Sequence, residues 1–273
     1  GPSHNYAGLS QGNLASKKHQ SSVSNPKAAA LQGLEKMFSL HEKGFKQAFL
    51  PPHPRPYLPM AHSLGYKGSL EEVIKEIGRL DPLLLNNLYS ASSMWVANAA
   101  MYSPSLDTKD HKVHFTIANL SSNLHRSIEN DFSHHLFKLI FHDKDFFKVH
   151  KDLPSGRFFA DEGTANQTRL SKNYSSKGLE IFHFGHYSYQ KESKEPKRYP
   201  SRQSFEACSY IAKKHRIGSE LRLFLKQSPE AIDEGVFHND VISVGNENVF
   251  FYHEKSFEDT EKSIKEISKN EKL

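Results

Sequence analysis

Apolar residues recur at helical spacing in several parts of the chain. Asn25 has the position of a helix cap, Pro26 follows at the first helical position, and Gly44 ends the apolar pattern, so a helix is predicted between them. Ser69 and Glu72 have the spacing of a capping box, in which each side chain bonds the other residue's backbone N–H group. Further helices are predicted over 132–141, over 201–215 and from 257 onward.

Short runs with alternating or continuous apolar residues predict the strands. They lie at 45–50, 112–118, 179–184, 221–225, 241–244 and 249–252. The last two are predicted to form a hairpin through the four-residue loop 245–248. Because strands alternate with helices, the pattern predicts an α/β fold with a mixed sheet. No repeat of fixed short period is visible, and the proline-rich stretch 51–59 is expected to be an extended surface loop.

Composition narrows the class of protein. With 37% hydrophobic and 25% charged residues in 273, the chain is not collagen-like, coiled-coil or low-complexity, and its length fits one large or two modest domains. It has no apolar run of about 18 residues and no basic-then-apolar start, so neither a membrane helix nor a secretory signal is expected. The single cysteine, Cys208, excludes a disulfide framework and favours a reducing, cytoplasmic location.

The charge balance is weakly informative about partners. The net charge is +5, but basic and acidic residues are interleaved except between 191 and 202. A nucleic-acid partner would require a basic patch with interleaved aromatic residues, so none is expected. An anionic small substrate would explain the same bias at a single site.

A pair of adjacent acids is the first candidate for chemistry. Asp161 and Glu162 follow an apolar pair and precede Gly163, which allows close backbone approach. Two carboxylates there could hold a cation or a guanidinium group through charge-assisted bonds. Solvated acids at a helix cap are the alternative, and the spacing leaves both open.

Two further segments carry groups suited to catalysis or anion binding. His238 and Asp240 precede a strand, and on extended backbone they would point to one side as an acid–base unit. The alternative is a hydrogen-bonded turn. Arg202 would lie in the first turn of a helix, where free N–H groups also attract anions, or it could belong to a solvated basic turn.

Other features are weaker on their own. The glycine-containing loop 6–16 lacks the lysine of a phosphate-binding loop, and the segments 94–98 and 123–126 place polar groups beside apolar runs. Histidines 134, 135, 142 and 150 lack metal-ligand spacing, so no metal is expected. Cys208 occupies an apolar helix position and is expected to be buried rather than nucleophilic.

Taken together, these segments resemble the N-succinylarginine dihydrolase family. The matching stretches are HNYAGLSQGN (4–13), SNPKAAALQGL (24–34), PPHPRPYLP (51–59), MWVANAA (94–100), VHFTIANL (113–120), LHRSIE (124–129), DEGTANQTRL (161–170), RYPSRQSFEA (198–207) and GVFHNDVISVGN (235–246). They follow the family order over nearly the whole chain. The resemblance implies a pentein-type α/β propeller, which has five ββαβ blades around a central site.

The resemblance also implies a reaction without a cofactor. A cysteine thiolate attacks the guanidinium carbon of N2-succinylarginine, a histidine moves protons, and the products are N2-succinylornithine, two ammonia and carbon dioxide. By matched position the catalytic glutamate is Glu162 and the catalytic histidine is His238. The implied substrate contacts are Ala7, Gly8, Leu9, Ser10, Gln11, Gly12, Asn13, Leu14, Ala15, Ser16, Asn98, His125, Arg126, Arg202 and Asp240.

One departure from the family is expected to matter. The family's nucleophile lies in a glycine-rich segment beyond the position matched by Leu273, so 1–273 is expected to be one partial propeller domain and inactive in hydrolysis. A homodimer is compatible with the resemblance. Two alternatives stay open: another guanidine-modifying hydrolase similar to arginine deiminase, and a binding module without catalysis.

Overall fold

The structure, a computed structural model, describes residues 8–23, 25–190 and 193–270. Ala7, one of the expected substrate contacts, lies outside the described residues. The chain divides into two compact units. The helical unit comprises Gly1–Ser10, Leu14–Trp95 and Asn123–Glu129, and the sheet unit comprises Gln11–Asn13, Val96–Ser122 and Asn130–Leu273.

Six α-helices occur among the described residues of the helical unit. They are α1 (Leu14–Lys18), α2 (Pro26–Glu42), α3 (Leu58–Ser63), α4 (Leu70–Leu80), α5 (Pro82–Leu88) and α6 (Leu124–Ser127). The predicted capping box is confirmed, since Ser69 accepts from the Glu72 N–H group while Glu72 accepts from Ser69. The apolar core joins α3, α4 and α5 through Ala61, Val73, Ile77, Leu84 and Leu88.

The predicted strand at 45–50 is wrong. This segment has no regular structure, and Phe45 and Phe49 are exposed. Its alternation of apolar residues has no neighbouring strand to bond with, so the backbone gains nothing from extended pairing. The helix before it is confirmed as α2, with Asn25 as its cap and Gly44 in the left-handed region at φ 81°.

The sheet unit contains eight strands and four helices among the described residues. The strands are β1 (Ala100–Ser103), β2 (Val113–Ile117), β3 (Phe147–His150), β4 (Gln167–Ser171), β5 (Gly178–Phe184), β6 (Arg222–Lys226), β7 (Ser243–Asn246) and β8 (Val249–Tyr252). The helices are α7 (Asn130–Ile140), α8 (Phe205–Lys214), α9 (Pro229–Asp233) and α10 (Thr260–Ser268).

A repeated connectivity organises these strands. β1 and β2 are antiparallel, and after α7 the chain returns as β3, parallel to β2. β4, β5, α8 and β6 repeat that arrangement. β7 and β8 form a third antiparallel pair, followed by α10. The single mixed sheet expected from the sequence is therefore replaced by separate small sheets. The repeated connectivity is the ββαβ order that the resemblance implies for each blade, although no repeat of fixed short period is visible in the sequence.

Two predicted boundaries change in ways that bear on the site. α8 begins at Phe205 and not at 201, because the Ser204 hydroxyl caps it by accepting from the Ala207 N–H group at 3.1 Å. The hairpin loop shrinks to 247–248, since β7 continues through Gly245. A Cβ on Gly245 would come within 2.6 Å of side chains on β4, so only glycine allows this close approach.

Within the described residues, no helix is long and apolar enough to cross a membrane.

Candidate functional site

A buried acid–histidine pair lies at the centre of the candidate site. His238 Nε2 is 2.9 Å from Glu162 Oε2, although 76 residues separate them. Glu162 is 0% and His238 3% exposed, so this contact is shielded from water. The solvated acids considered for this segment are therefore excluded. Each residue immediately precedes a short 3₁₀ turn, at Gly163–Asn166 and at Asn239–Val241.

Backbone anchors fix the position of Glu162. The Asn98 side chain donates to the Glu162 backbone carbonyl at 2.7 Å, and the Gln203 side-chain Oε1 accepts from the Glu162 N–H group at 2.8 Å. Gly163 has φ 72°, and a Cβ there would lie 2.9 Å from the Ala97 carbonyl oxygen. The predicted need for glycine beside the acids is thus confirmed.

Two residues that sequence analysis did not single out connect these parts. Asn166 Oδ1 accepts from the Asn239 N–H group at 2.9 Å, which ties the histidine's turn to the acid's turn. Gln203 also donates to Asp161 Oδ1 at 3.1 Å. Both residues lie inside segments that carry the family resemblance, and that was their only signal. A neutral amide side chain carries no charge and forms no recognisable spacing, so the sequence pattern does not mark it as a site residue.

The surroundings of His238 act on its pKa in opposite directions. Burial lowers the pKa, and the Arg202 charge lowers it further. The hydrogen bond and charge of Glu162 raise it, as does the charge of Asp240. Burial prevails, so the pKa lies below its ordinary value and the imidazole is neutral at pH 7. A neutral imidazole next to a carboxylate is able to accept a proton and return it.

Asp161 is held differently from its neighbour. Burial raises its pKa to about 7, and the Glu162 charge adds to this, against hydrogen bonds from Gln203 and the Gly163 N–H group. Its folded pKa thus lies above the value in an unfolded chain. The folded state takes up this proton first, so the stability contribution of Asp161 grows as the pH falls from 7 to 5.

We therefore expect Asp161→Asn to remove that pH dependence. Between pH 7 and pH 5 the free energy of unfolding of the wild type should rise by about 2–3 kcal/mol because of this group, at about 1.4 kcal/mol per pH unit. The variant should show no such rise. Urea unfolding at both pH values measures the difference. Asp145→Asn, at an exposed position, is the control and should leave the profile unchanged. A wild type and a variant with parallel profiles would contradict the assignment.

Arg202 lies near the same histidine but not where the sequence placed it. It precedes the Ser204 cap of α8, so the expected position in the first helical turn is wrong. The side chain is 4% exposed, donates to the Gln11 carbonyl and covers the Phe237 ring at 4.8 Å. The Phe237 and His238 rings are 4.8 Å apart. The Arg202 side chain is therefore held by packing on the Phe237 ring and by its hydrogen bond to the Gln11 carbonyl.

Asp240 borders a cavity of about 310 Å³ in the sheet unit. It lies in the 3₁₀ turn Asn239–Val241, so the argument from extended backbone, in which Asp240 and His238 share a side, is wrong. Burial raises the pKa of Asp240, and the His238 charge lowers it. Glu162 and His238 are not among the residues lining this cavity. Asp240 therefore acts on His238 through its charge, and not through a shared cavity lining.

The remaining expected contacts divide between the two units. In the helical unit, Ser10 Oγ lies 3.2 Å from His125 Nε2, and the buried Arg126 has Nε 3.5 Å from Glu129 Oε1. This unit also holds Gly8, Leu9, Leu14, Ala15 and Ser16. The sheet unit holds Gln11, Gly12 and Asn13, with Gly12 packed beside the Tyr199 ring. The two glycines have φ 67° and 79°, which fits the tight loop predicted here.

Cys208 is buried between α8 and β5, as predicted. Burial raises the pKa of its thiol, and the Asp161 charge adds to this, so the reactive thiolate is disfavoured. Its Sγ contacts Gln203 Nε2 at 3.5 Å and does not reach the acid–histidine pair directly. In the part of the chain that the structure describes, no cluster of three His, Cys, Asp or Glu side chains is arranged to hold a metal ion.

We expect a thiol reagent such as Ellman's reagent to label Cys208 slowly in the folded chain. Its rate should be at least about 100-fold below the rate in urea, because the sulfur is enclosed and protonated. Absorbance of the released thiolate measures both rates. Native labelling as fast as unfolded labelling would show that the sulfur is accessible.

Comparison with known proteins relates this geometry to one family. The family model described as succinylarginine dihydrolase matches residues 1–273. The N-succinylarginine dihydrolase of Marinobacter nauticus is 48% identical over 267 residues, which are 98% of this chain and 60% of the relative. Proteins of that name from Hahella chejuensis and Aliivibrio fischeri are 47% and 48% identical with the same coverage. The chain spans about three-fifths of these relatives' length.

Proposed function

Since the chain belongs to the succinylarginine dihydrolase family, we propose that it serves the hydrolysis of N2-succinylarginine to N2-succinylornithine, two ammonia and carbon dioxide. The observation that carries the proposal is the buried contact of 2.9 Å between Glu162 and His238. The resemblance implies the catalytic acid and base at these two positions. Neither an arginine deiminase-like enzyme nor a binding module without catalysis is favoured by the relatives' names.

Glu162 and Asp240 are proposed to bind the substrate guanidinium. A guanidinium group is planar and spreads its charge, so carboxylates orient it well through paired hydrogen bonds. Orientation lowers the entropic part of the barrier to attack at the guanidinium carbon. Asn98 would act by fixing the Glu162 backbone, to which it donates.

His238 is proposed to move protons between the substrate nitrogen and water. A departing nitrogen must be protonated to leave as ammonia, and the attacking water must lose a proton. The neutral imidazole next to Glu162 suits this exchange, because the carboxylate stabilises the imidazolium formed after proton uptake. Cys208 is not proposed as the nucleophile, since its thiol is buried and its pKa is raised.

The succinyl group is proposed to be recognised by arginines. Its carboxylate suits the fork-shaped guanidinium of Arg202, and the resemblance implies substrate contacts at Arg126 and His125 as well. The loop residues from Ala7 to Ser16 are proposed to contact substrate as well. We also propose that residues 1–273 form part of a pentein-type α/β propeller, which the repeated ββαβ connectivity supports. A cytoplasmic location and a homodimer belong to the same proposal.

Calorimetric titration of the chain with N2-succinylarginine tests the proposal, with free arginine as the comparison ligand. Saturable binding of the succinylated compound and weak binding of arginine are the expected results. A separate ammonia-release assay asks whether the chain itself completes the reaction. Preferential binding of free arginine would instead favour a deiminase-like substrate. Absence of binding to either ligand would contradict the proposal.

Arg202→Lys is expected to weaken binding of N2-succinylarginine by about 1.5–3 kcal/mol, the range for charged hydrogen bonds. Lysine keeps the charge but loses the forked geometry, and it cannot cover the Phe237 ring in the same way. Where turnover is measurable, the Michaelis constant should rise far more than turnover falls. An unchanged Michaelis constant with collapsed turnover would place Arg202 in the chemistry instead.

A further inference from the structure

A basic groove of about 740 Å³ lies in the sheet unit, beside the end of α7 and strand β3. Its cationic lining consists of Lys112, Lys138, Lys144, Lys148 and Arg216. It shares no lining residue with the cavity at Asp240 and contains none of the residues proposed for the hydrolysis. The proposed hydrolysis therefore does not explain why cationic side chains gather in this groove.

The positive charge of this groove is not cancelled by its lining. Asp110 is the one acid among the lining residues, all of which belong to the described part of the chain. Its carboxylate is already engaged, with Oδ1 2.9 Å from His114 Nε2 and Oδ2 3.3 Å from Arg216 Nη1. Burial raises the pKa of Asp110, but the bonds and charges of these two partners outweigh it and lower the pKa to about 2.

The four lysines therefore face the groove without an acid of its lining to pair with. Lys112 donates to the Lys144 carbonyl oxygen at 2.6 Å, which fixes its ammonium group beside the turn 142–146. Two acids occur in that turn, Asp143 and Asp145, but they are exposed and do not line the groove. Clustered like charges raise the local concentration of anions.

An apolar surface of flat rings completes the groove. Phe141 stacks on Phe115 with centroids 4.4 Å apart, and its centroid is 5.1 Å from that of Phe147. Phe141, Phe147 and Val149 all contribute to the lining. Phe141 and Val149 also pack on the apolar core beneath β2, so the aromatic part of the lining is held in place, and a flat heterocycle stacks favourably on such rings.

The backbone at the groove is held in an uncommon conformation. His111 has φ 55° and Arg216 has φ 60°, both in the left-handed region that residues other than glycine seldom adopt. Arg216 is held by the segment before His111, since the Lys109 N–H group donates to the Arg216 carbonyl at 3.2 Å. Outliers of this kind concentrate at ligand sites, where the surrounding fold maintains them.

We propose that the basic groove binds a nucleoside diphosphate, with its phosphates on the lysines and its base on the phenylalanine rings. The volume lies within the range of about 300–1,000 Å³ usual for small-molecule sites. Phosphate oxygens accept readily from ammonium groups, and the rings supply the contact that a simple phosphate cannot use. The proposal does not rest on the hydrolase function and would hold without it.

Calorimetric titration of the wild-type chain with ADP tests this proposal, beside adenosine and pyrophosphate as partial ligands. ADP should bind saturably and more tightly than either partial ligand. K138Q/K148Q should weaken ADP binding about tenfold, since both exposed lysines lose their charge. K172Q/K177Q removes the same charge from the turn between β4 and β5, and should leave the affinity unchanged.

Phe147→Leu separates stacking from charge. It should weaken ADP binding several-fold while leaving pyrophosphate binding unchanged. Thermal unfolding, monitored by circular dichroism, verifies that each variant is folded. The exposed lysine variants still test the proposal if Phe147→Leu is destabilised. An equal loss of ADP affinity in K138Q/K148Q and K172Q/K177Q would mean that only the net charge of the chain matters, and it would overturn the proposal. Equal affinity for ADP and pyrophosphate, or no saturable ADP binding, would overturn it as well.

Discussion

Replacement of Arg169 by Met is expected to destabilise the sheet unit by about 3–5 kcal/mol, the cost of breaking a buried ion pair from one side. Arg169 on β4 grips the buried Asp107 through Nε at 2.5 Å and Nη2 at 3.2 Å. The same guanidinium donates to Ser171 Oγ and to the Ser176 carbonyl. Methionine fills similar space but leaves the Asp107 charge buried without a cation.

The surroundings strengthen this expectation. Burial raises the pKa of the neighbouring Glu180 well above its ordinary value, and the Asp107 charge adds to that, while Arg169 lowers it. Loss of Arg169 therefore affects two buried acids. Urea unfolding at pH 7 gives the free energy of unfolding. Arg157→Met, which breaks an exposed pair with Glu195, should cost no more than about 1 kcal/mol.

A second variant isolates the buried charge as the cause. Asp107→Asn in the Arg169→Met background removes that charge and should recover part of the lost stability. A loss below about 1 kcal/mol for Arg169→Met, or no recovery in the double variant, would contradict this account of the pair.

Glu162→Gln is expected to weaken binding of N2-succinylarginine by about 2–5 kcal/mol, which is about thirtyfold to several-thousandfold. The amide keeps the shape of the carboxylate but removes the charge that is proposed to pair with the guanidinium. Calorimetric titration measures the affinity. Glu254→Gln, at an exposed position, is the matched control and should bind as the wild type does.

A second measurement on Glu162→Gln does not depend on the substrate. The hydrogen bond and charge of Glu162 raise the pKa of His238, so their loss should lower that pKa further. An NMR titration of the His238 ring protons follows it. A lowered pKa with unchanged affinity would retain the acid–histidine pair and refute its part in binding. An unchanged pKa would refute the pair itself.

The sequence pattern correctly predicted the helices and strands that depend on residues close together along the chain. The capping box at Ser69, the end of α2 near Gly44 and strands β2, β5 and β6 follow from spacing of a few residues. Strand β4 was missed because its sequence, QTRLS, is polar. Its Arg169 is acceptable inside only because Asp107, 62 residues earlier, neutralises it. No window of sequence contains that compensation.

The same division applies to the candidate site. Residue types and family resemblance brought Glu162, His238, Asp240 and Arg202 forward as candidates, but two of the local arguments for them were wrong. Arg202 is outside the helix because Ser204 takes the cap, and Asp240 lies on a 3₁₀ turn instead of an extended segment. Both residues remain candidates, although the backbone conformations that were predicted for them are wrong.

The sequence by itself determined the N-terminal caps of α2 and α4, most strand positions, the burial of Cys208 and the family. Those depend on residue type and short spacing, which the order of residues contains in full. Only the tertiary structure decided that Glu162 meets His238 and that Asn166 and Gln203 hold their turns. It also decided that four lysines share one groove with two phenylalanines. These contacts join residues distant along the chain, so they depend on how sheets and loops pack rather than on any local pattern.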